Sequence, residues 1–394
     1  MVDYDPFLPQ VIEDPHPVYA KLREEDPCCF IPKYDTYFLS RFEDIWNASM
    51  DAESYSTEAG STFAQLVKKI QPVTPMLNNM DAPRHTHMRA KIVPYFSPGG
   101  VKRLEPTIAK IVADAWAGVR DQKQVDLFND FAARVSVKVA CLANGFPMED
   151  SDMLNALVWR FMAREEGVDG MTQDGVDAMM EMFGYFAQLI AKRRAAGADR
   201  ETVVDLVCRY EDEDGKKLDV ESASSHLSLF LIGGAETFPK TFASTVLRLW
   251  QHEDQRAAMA KDPALIPEAY REALRYDMPT QFLMRQVVKP VKLHDKTMQP
   301  GQKVGFLYPS ANRDKREFTD PDRFDIKRNA PRILSFGHGI HLCIGQHFAK
   351  MEAKLCIQTL LDWAPDYEVK ANELRRLKTE FVQGWESMPV LFNR

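Results

Sequence analysis

Phe336-Gly337-His338-Gly339-Ile340-His341-Leu342-Cys343-Ile344-Gly345 sets a single cysteine in a glycine-rich loop that opens onto a helical stretch through Ala349-Lys350-Met351-Glu352. A thiolate is a soft anionic ligand, and the N–H groups and positive dipole of a helix start stabilise it. Gly337 and Gly339 permit a sharp turn, and Gly345 lets backbone or a flat ligand approach with no side chain in the way. Phe336 and Leu342 supply apolar cover for the sulfur. The segment suits one axial thiolate beneath a planar metal cofactor. Two blander readings use the same residues: a structural cysteine buried in a turn, or a zinc site built from His338, His341, Cys343 and His347. Zinc usually draws on separated ligand pairs with supporting hydrogen bonds, whereas these four crowd into one short segment.

Other motifs stand upstream. A long apolar helix carries Gly233-Gly234-Ala235-Glu236-Thr237. Glycine in mid-helix costs roughly 1 kcal/mol relative to alanine, so a pair points to close packing or bending. Pro239 has no N–H and clashes with the carbonyl four residues back, that of Ala235. A kink is predicted there, with the Ala235 carbonyl left free for water. Glu268 to Pro279 contains two Glu-x-x-Arg pairs, each able to pair on a helix face. His85 and Arg89 share a face of the helix that follows Asp81-Ala82-Pro83, and Arg285 follows Phe282-Leu283-Met284.

These stretches resemble the cytochrome P-450 family. The cysteine loop is similar to its haem-binding loop and proximal helix, and the glycine-rich helix to its oxygen-binding segment. The resemblance covers about residues 80–390; the first 60 are compatible but carry no motif. It implies a mainly α fold with a minor β region, a single catalytic domain over residues 1–394, and haem b with Cys343 as the iron ligand. By the same match Phe336, Gly345, Gly233 and Gly234 border the haem. Thr237 would hydrogen-bond dioxygen and Glu236 would relay protons from solvent, a sensible pairing because a hydroxyl beside an acid suits proton delivery. His85, Arg89, Arg285 and His341 match the usual partners of the two propionates, and arginine is well shaped for bidentate carboxylate contacts. Glu272, Arg275 and Arg323, the last in Asp320-Pro321-Asp322-Arg323-Phe324, correspond to a buried structural trio. Leu229, Ile232, Gln281, Phe282 and Trp385 are the candidate substrate contacts.

The activity implied is that of a soluble haem-thiolate monooxygenase. It would insert one atom of O2 into a hydrophobic small molecule. No GxGxxG or flavin-type segment is present, so NAD(P)H electrons are expected through a separate ferredoxin and ferredoxin reductase, with Lys350 and Lys354 as candidate docking cations. Two rivals are a peroxide-dependent or isomerising haem-thiolate enzyme and a non-enzymatic haem carrier. Glu236-Thr237 weighs against the first, because a peroxide user needs no proton relay for dioxygen. The second finds no sensory or DNA-binding extension.

Composition fits that picture. The 394 residues are 45% hydrophobic and 27% charged, ordinary for a globular chain, with no linker, repeat or low-complexity tract. A net charge of −7 argues against a nucleic-acid partner. The longest apolar run, Leu229 to Ala235, is too short for a bilayer, and the acidic N-terminus lacks a secretory pattern, so a cytoplasmic location without a membrane anchor is expected. Of the cysteines at 28, 29, 141, 208, 343 and 356, all but Cys343 read as small core hydrophobes. The periodicity predicts helices at about 84–94, 98–120, 129–144, 150–165, 174–196, 199–212, 219–252, 263–276 and 343–363. Strands are predicted at Cys29–Ile31, Thr36–Leu39, Gln286–Leu293 and Lys303–Leu307, and a mobile loop from Gly60 to Asn79.

Overall fold

The computed structural model describes residues 2–69, 75–165 and 170–392. Helices dominate, and a small mixed sheet runs in the order Cys28–Ile31, Thr36–Leu39, Lys303–Leu307, Phe282–Val287, Tyr55–Ser56. Thr36–Leu39 and Lys303–Leu307 run parallel; the other neighbours are antiparallel, with Arg285 opposite Val304. This sheet joins the N-terminal region to the strand that carries Arg285, although the two lie far apart in sequence.

The largest apolar core surrounds the helices Val220–Ala235 and Thr237–Gln251. The first starts at Asp219, whose carboxylate accepts from the Ser222 N–H at 2.6 Å; such a cap contributes about 1 kcal/mol. It packs on Ala133–Asn144, while Thr237–Gln251 and Ile266–Tyr276 both pack on Gln346–Trp363. Of the predicted core cysteines, Cys28, Cys29, Cys141, Cys208 and Cys356 are indeed buried, and all six are free.

Several boundaries differ from the sequence reading. The helix expected over 219–252 is two helices that meet at Glu236. Pro239 cannot donate to the Ala235 carbonyl, and the Ser136 hydroxyl donates to the neighbouring Gly234 carbonyl at 2.7 Å. Side-chain competition for a helix carbonyl is a known cause of bending. The strand expected at Gln286–Leu293 instead begins at Phe282, ends at Val287, and is followed by the hairpin Val291–Leu293 and Lys296–Met298. The last helix starts at Gln346, so Cys343 sits before it and not within it. Within the expected loop 60–79 lie a short helix, Phe63–Leu66, and a 3-10 turn, Leu77–Asn79; residues 70–74 fall outside the described residues. The C-terminal strands Arg375–Lys378, Gln383–Ser387 and Pro389–Leu391 were not expected; their alternation is too short to stand out in sequence.

Arg323 also needs correction. Glu272 and Arg275 do form a buried bidentate pair, at 2.7 and 2.8 Å. The third side chain is Arg328, whose Nε lies 3.1 and 3.2 Å from the two Glu272 oxygens. Arg323 is exposed and contributes only its backbone carbonyl, which accepts from Arg275 at 3.3 Å and Arg328 at 2.7 Å. The turn that follows Phe324 folds Arg328 back toward Glu272, a chain reversal that spacing does not encode.

Removing one partner of a buried ion pair leaves an uncompensated charge, typically worth about 3–5 kcal/mol. Glu272→Ala is therefore expected to destabilise by that order, because Arg275 and Arg328 lose their shared carboxylate; urea unfolding measures it. A pH dependence is expected from His226, whose imidazole burial pushes down to about 3, with Arg84 adding to the effect. The folded state holds the ring neutral, whereas the unfolded ring titrates near 6.5. The unfolded chain thus binds more protons at acid pH. Stability is full above about 6.5 and falls as pH drops below it, by up to about 1.4 kcal/mol per unit from this group. His226→Gln, which does not titrate, should flatten part of that slope in urea unfolding from pH 7 to 5.

Candidate active site

The cysteine loop is held by its own backbone. The Gly337 N–H donates to Leu334 at 2.9 Å, and the Cys343 N–H donates to Phe336 at 2.8 Å. Gly337 and Gly339 both have positive φ, 70° and 73°. A Cβ on Gly339 would stand 2.0 Å from the Ser49 carbonyl oxygen, so only glycine lets this loop rest on the helix Phe42–Met50.

Solvent reaches Cys343, yet enough protein surrounds it that burial pushes the thiol pKa up. Both facts hold for a residue on the floor of an internal cleft. Opposing the burial are hydrogen bonds from the Gly345 and Gln346 N–H groups, with Arg89 and Lys350 adding positive potential. These two amides form the N-terminus of Gln346–Trp363, so the helix start favours the thiolate as the sequence implied. A Cβ on Gly345 would lie 4.0 Å from the sulfur, ordinary contact, so this glycine keeps the approach clear without being demanded by the backbone.

The other histidines of the loop diverge. His338 stacks on Trp46 with ring centroids 3.5 Å apart, and His341 packs against His85 at 4.4 Å. Among the described residues no group of His, Cys, Asp or Glu converges to hold a metal ion. The zinc reading loses its geometric basis.

His85, Arg89, Arg285 and His341 come together from three separate parts of the fold. His85 and Arg89 lie on the helix Arg84–Phe96, Arg285 on the strand Phe282–Val287, and His341 in the loop. Arg89 donates to the Leu342 carbonyl and Arg285 to the Met284 carbonyl, the latter at 2.7 Å. His341 Nε2 is 3.4 Å from the Thr57 hydroxyl. Burial pushes His341 down to about 2, and Arg285, His85 and Arg89 push it further in the same direction. Burial likewise takes His85 down to about 4, with Arg89 assisting and Asp81 opposing. Among the described residues neither His85 ring nitrogen has a partner, and no carboxylate forms an ion pair with Arg89 or Arg285. Buried basic groups without counter-charge call for an anion. Two carboxylates of a flat ligand standing over Cys343 meet that need, so these residues fit haem. His87 faces elsewhere, 3.0 Å from the Tyr210 hydroxyl.

The helix Val220–Ala235 is buried from Ala223 to Ser228, whereas toward its C-terminal end Gly233 is exposed and Leu229, Ile232 and Gly234 are half-buried, as is Thr237 beyond the break. A Cβ on Gly233 would meet nothing within 4 Å, so it borders open space. Gly234 does not share that role: a Cβ there would stand 2.8 Å from the Ala140 Cβ, which makes it a helix-packing glycine. Thr237 Oγ1 lies 3.4 Å from Glu236 Oε2. Glu236 is buried and ion-paired with Lys240, a buried partner that motif matching overlooked although it stands one helical turn away.

The expected substrate residues divide. Leu229 and Ile232 belong to the half-buried stripe, and Trp385 is half-buried on the strand Gln383–Ser387. Gln281 is buried with its amide donating to the Pro279 carbonyl at 3.2 Å, and Phe282 packs on Phe38 at 5.3 Å. Both are core residues. Phe282 lies three residues from Arg285 on a strand and so faces the other side, and Gln281 precedes the strand with its amide turned back to the chain.

A model of the family described as Cytochrome P450 matches residues 27–383. The chain belongs to the cytochrome P450 family. It is similar to a vitamin D(3) 25-hydroxylase of Pseudonocardia autotrophica, 33% identical over 98% of this chain and 96% of that protein. Cytochrome P450 130 of Mycobacterium tuberculosis is 31% identical over 95% of this chain and 94% of that protein. Among solved structures, P450BioI in complex with an acyl carrier protein carrying hexadec-9Z-enoic acid superposes with a TM-score of 0.85 at 29% identity, covering 98% of this chain and all of that one. CYP109E1 from Bacillus megaterium, bound to testosterone, gives 0.87 at 25% identity, covering 98% of this chain and 99% of that one. The protein is accordingly a cytochrome P450 monooxygenase, an oxidoreductase, and its cofactor is haem. Among the described residues no helix is long and apolar enough to cross a membrane.

Cys343→Ser is expected to abolish the far-red Soret band of the reduced, carbon-monoxide-bound protein. Arg285→Leu should leave that band in place but release haem faster. Losing one charge-assisted hydrogen bond is worth about 1.5–3 kcal/mol, so transfer to an apo-globin acceptor should accelerate by about 10- to 100-fold.

Proposed function

We propose that this cytochrome P450 inserts one atom of O2 into a hydrophobic small molecule, with electrons from NAD(P)H arriving through a separate ferredoxin and its reductase. The observation that carries the reading is the set of residues left accessible across the helix break, half-buried Leu229, Ile232 and Thr237 with exposed Gly233, apolar except for one hydroxyl, in a chain that supplies a thiolate. Apolar walls with one polar group are the usual make-up of a site for a hydrophobic ligand. Related proteins have been captured with testosterone and with a fatty acyl chain, which fits a ligand of that character. Residues 1–394 act in this reading as one catalytic unit.

Bound haem supplies one-electron and oxygen chemistry at its iron. The chain supplies the rest. Cys343 holds the iron, Phe336 and Gly345 border the sulfur side, and Gly233 leaves room on the side away from it. Arg89 and Arg285 would neutralise the propionates, and His85 and His341, held uncharged by burial, would hydrogen-bond to them. Thr237 orients a hydroxyl toward the oxygen side, and Glu236 beside it manages the proton. Leu229, Ile232 and Trp385 exclude water and orient the substrate. The Glu236–Thr237 pair favours this reading over a peroxide-dependent one, which has no use for a proton route to dioxygen.

On the sulfur side a groove of about 680 Å³ is lined by Lys102, Arg271, Arg332, His347, Lys350 and Lys354 together with Trp46 and Phe336; its acids are Glu105 and Glu268. An excess of cations beside an aromatic face, on a chain of net charge −7, is a suitable dock for an acidic electron carrier. A cytoplasmic location is part of this reading, and free cysteines together with a need for reduced nicotinamide are in keeping with it.

The reading is tested by screening hydrophobic compounds for a spin-state shift and then assaying turnover with NADH, ferredoxin and reductase. One compound should be oxidised with dioxygen consumed; oxidation with peroxide alone would favour the rival. With that compound Thr237→Ala should cut product per NADH by about 100-fold, the lower end of the usual proton-transfer contribution, and raise peroxide release. Reversing both Lys350 and Lys354 to Glu should slow ferredoxin-dependent haem reduction at low salt by about 10-fold or more, and the difference should shrink at high salt.

A further inference from the structure

We propose that Lys240 is a positioning residue of the oxygen side: it keeps Glu236 a carboxylate and so fixes the direction of the Thr237 hydroxyl. The inference rests on the monooxygenase reading of this site. Lys240 is 1% exposed and Glu236 4%. The ammonium is ion-paired with Glu236 Oε1 and also lies 3.4 Å from the Glu236 carbonyl oxygen. It stands over the rings of Trp159, at 5.2 Å, and Phe128, at 5.9 Å, which supply negative π faces in place of water. A Cβ on Gly384 would stand 3.2 Å from the lysine stem, so the strand Gln383–Ser387 closes the remaining side. Among the described residues Glu236 is its one acidic partner.

Such a pair is a poor choice for stability alone. The cost of desolvating two charges offsets much of their attraction, and well-packed apolar residues of similar volume often do as well or better. Its position gives it another use. With Oε1 held by Lys240, Oε2 is the atom left for Thr237, whose hydroxyl donates to it across 3.4 Å. The hydroxyl proton then points at Glu236, and the oxygen lone pairs face the open side that Gly233 borders. Thr237 is thereby set to accept a hydrogen bond from a molecule in the cleft, and not to donate one. The break between the two helices at Glu236 makes this geometry possible. A second cation, Arg164, is engaged by the carbonyls of Phe161, Met162 and Ala163, and leaves the Glu236 carboxylate to Lys240.

The test uses Lys240→Met, Lys240→Arg and the double variant Lys240→Met with Glu236→Gln. Infrared difference spectra against Glu236→Gln at pH 7 should show the Glu236 signal as a carboxylate in the native chain. It should appear as a protonated carboxyl in Lys240→Met and return to carboxylate in Lys240→Arg. Lys240→Met should melt at a lower temperature than the double variant, which buries no orphaned charge. With an oxidisable compound, Lys240→Met should shift output several-fold from product to peroxide, and Lys240→Arg should recover most of it. A carboxylate signal unchanged in Lys240→Met overturns the proposal, as does a product-to-peroxide ratio that Lys240→Arg fails to recover. Should the native enzyme oxidise nothing, the proposed activity falls, while the infrared and melting results still decide whether Lys240 governs the charge on Glu236.

Discussion

A sulfur that must stay anionic inside a protein needs positive potential that does not compete for it as a covalent partner. Here that potential comes from two backbone amides, those of Gly345 and Gln346, at the start of Gln346–Trp363, and from Arg89 and Lys350 beyond them. Burial works in the opposite direction, and the balance is what makes a thiolate both stable and available to a metal. Everything around the loop serves to place that helix start. The positive-φ glycines let the chain turn, Gly339 rests against the Ser49 carbonyl, and the helices Thr237–Gln251 and Ile266–Tyr276 pack along the flank of Gln346–Trp363. The Glu272–Arg275–Arg328 cluster then ties Ile266–Tyr276 to the segment leading into the loop.

The same economy of means explains the basic groups. His85, Arg89, Arg285 and His341 are drawn from a helix, a strand and a turn, and where they meet the arginines' positive potential works against a charge on either imidazole. A fold tolerates that only if packing elsewhere enforces it. The mixed sheet does so for Arg285, which is paired across to Val304 on a strand itself locked to Thr36–Leu39. That potential is balanced when carboxylates arrive, so cofactor binding and local stability are linked through the same four residues.

How much of this could be read from the chain follows from physical range. Cys343, its glycines and the His85–Arg89 pair were legible because their chemistry is local: a turn, a helix start, a shared helix face. The strand Lys303–Leu307 was legible for the same reason, since a short, largely apolar run is a local signal. Arg328 was not, because its place depends on a reversal after Phe324 that brings it to Glu272 across 56 positions. Phe282 proved a core residue because it faces the opposite side of the strand from Arg285, and Gln281 because its amide turns back to the Pro279 carbonyl ahead of the strand. Gly233 and Gly234 also differ in a way that spacing does not announce. Adjacent glycines on a helix point about 100° apart, so Gly233 meets open space while Gly234 meets Ala140.

Lys240 shows the limit from the other direction. In sequence, Glu236 and Lys240 are an i,i+4 pair of the commonest kind, and such pairs are ordinarily solvated and worth a few tenths of a kcal/mol. What changes their meaning is the wall around them: Phe128 and Trp159 from two other segments, and the strand at Gly384 from a third. Once water is excluded, the pair can no longer exchange its partners freely. The carboxylate has one oxygen for the ammonium and one for the threonine, and the helix break at Glu236 sets both directions. A local, unremarkable spacing becomes a constraint on proton direction only because distant parts of the chain close over it.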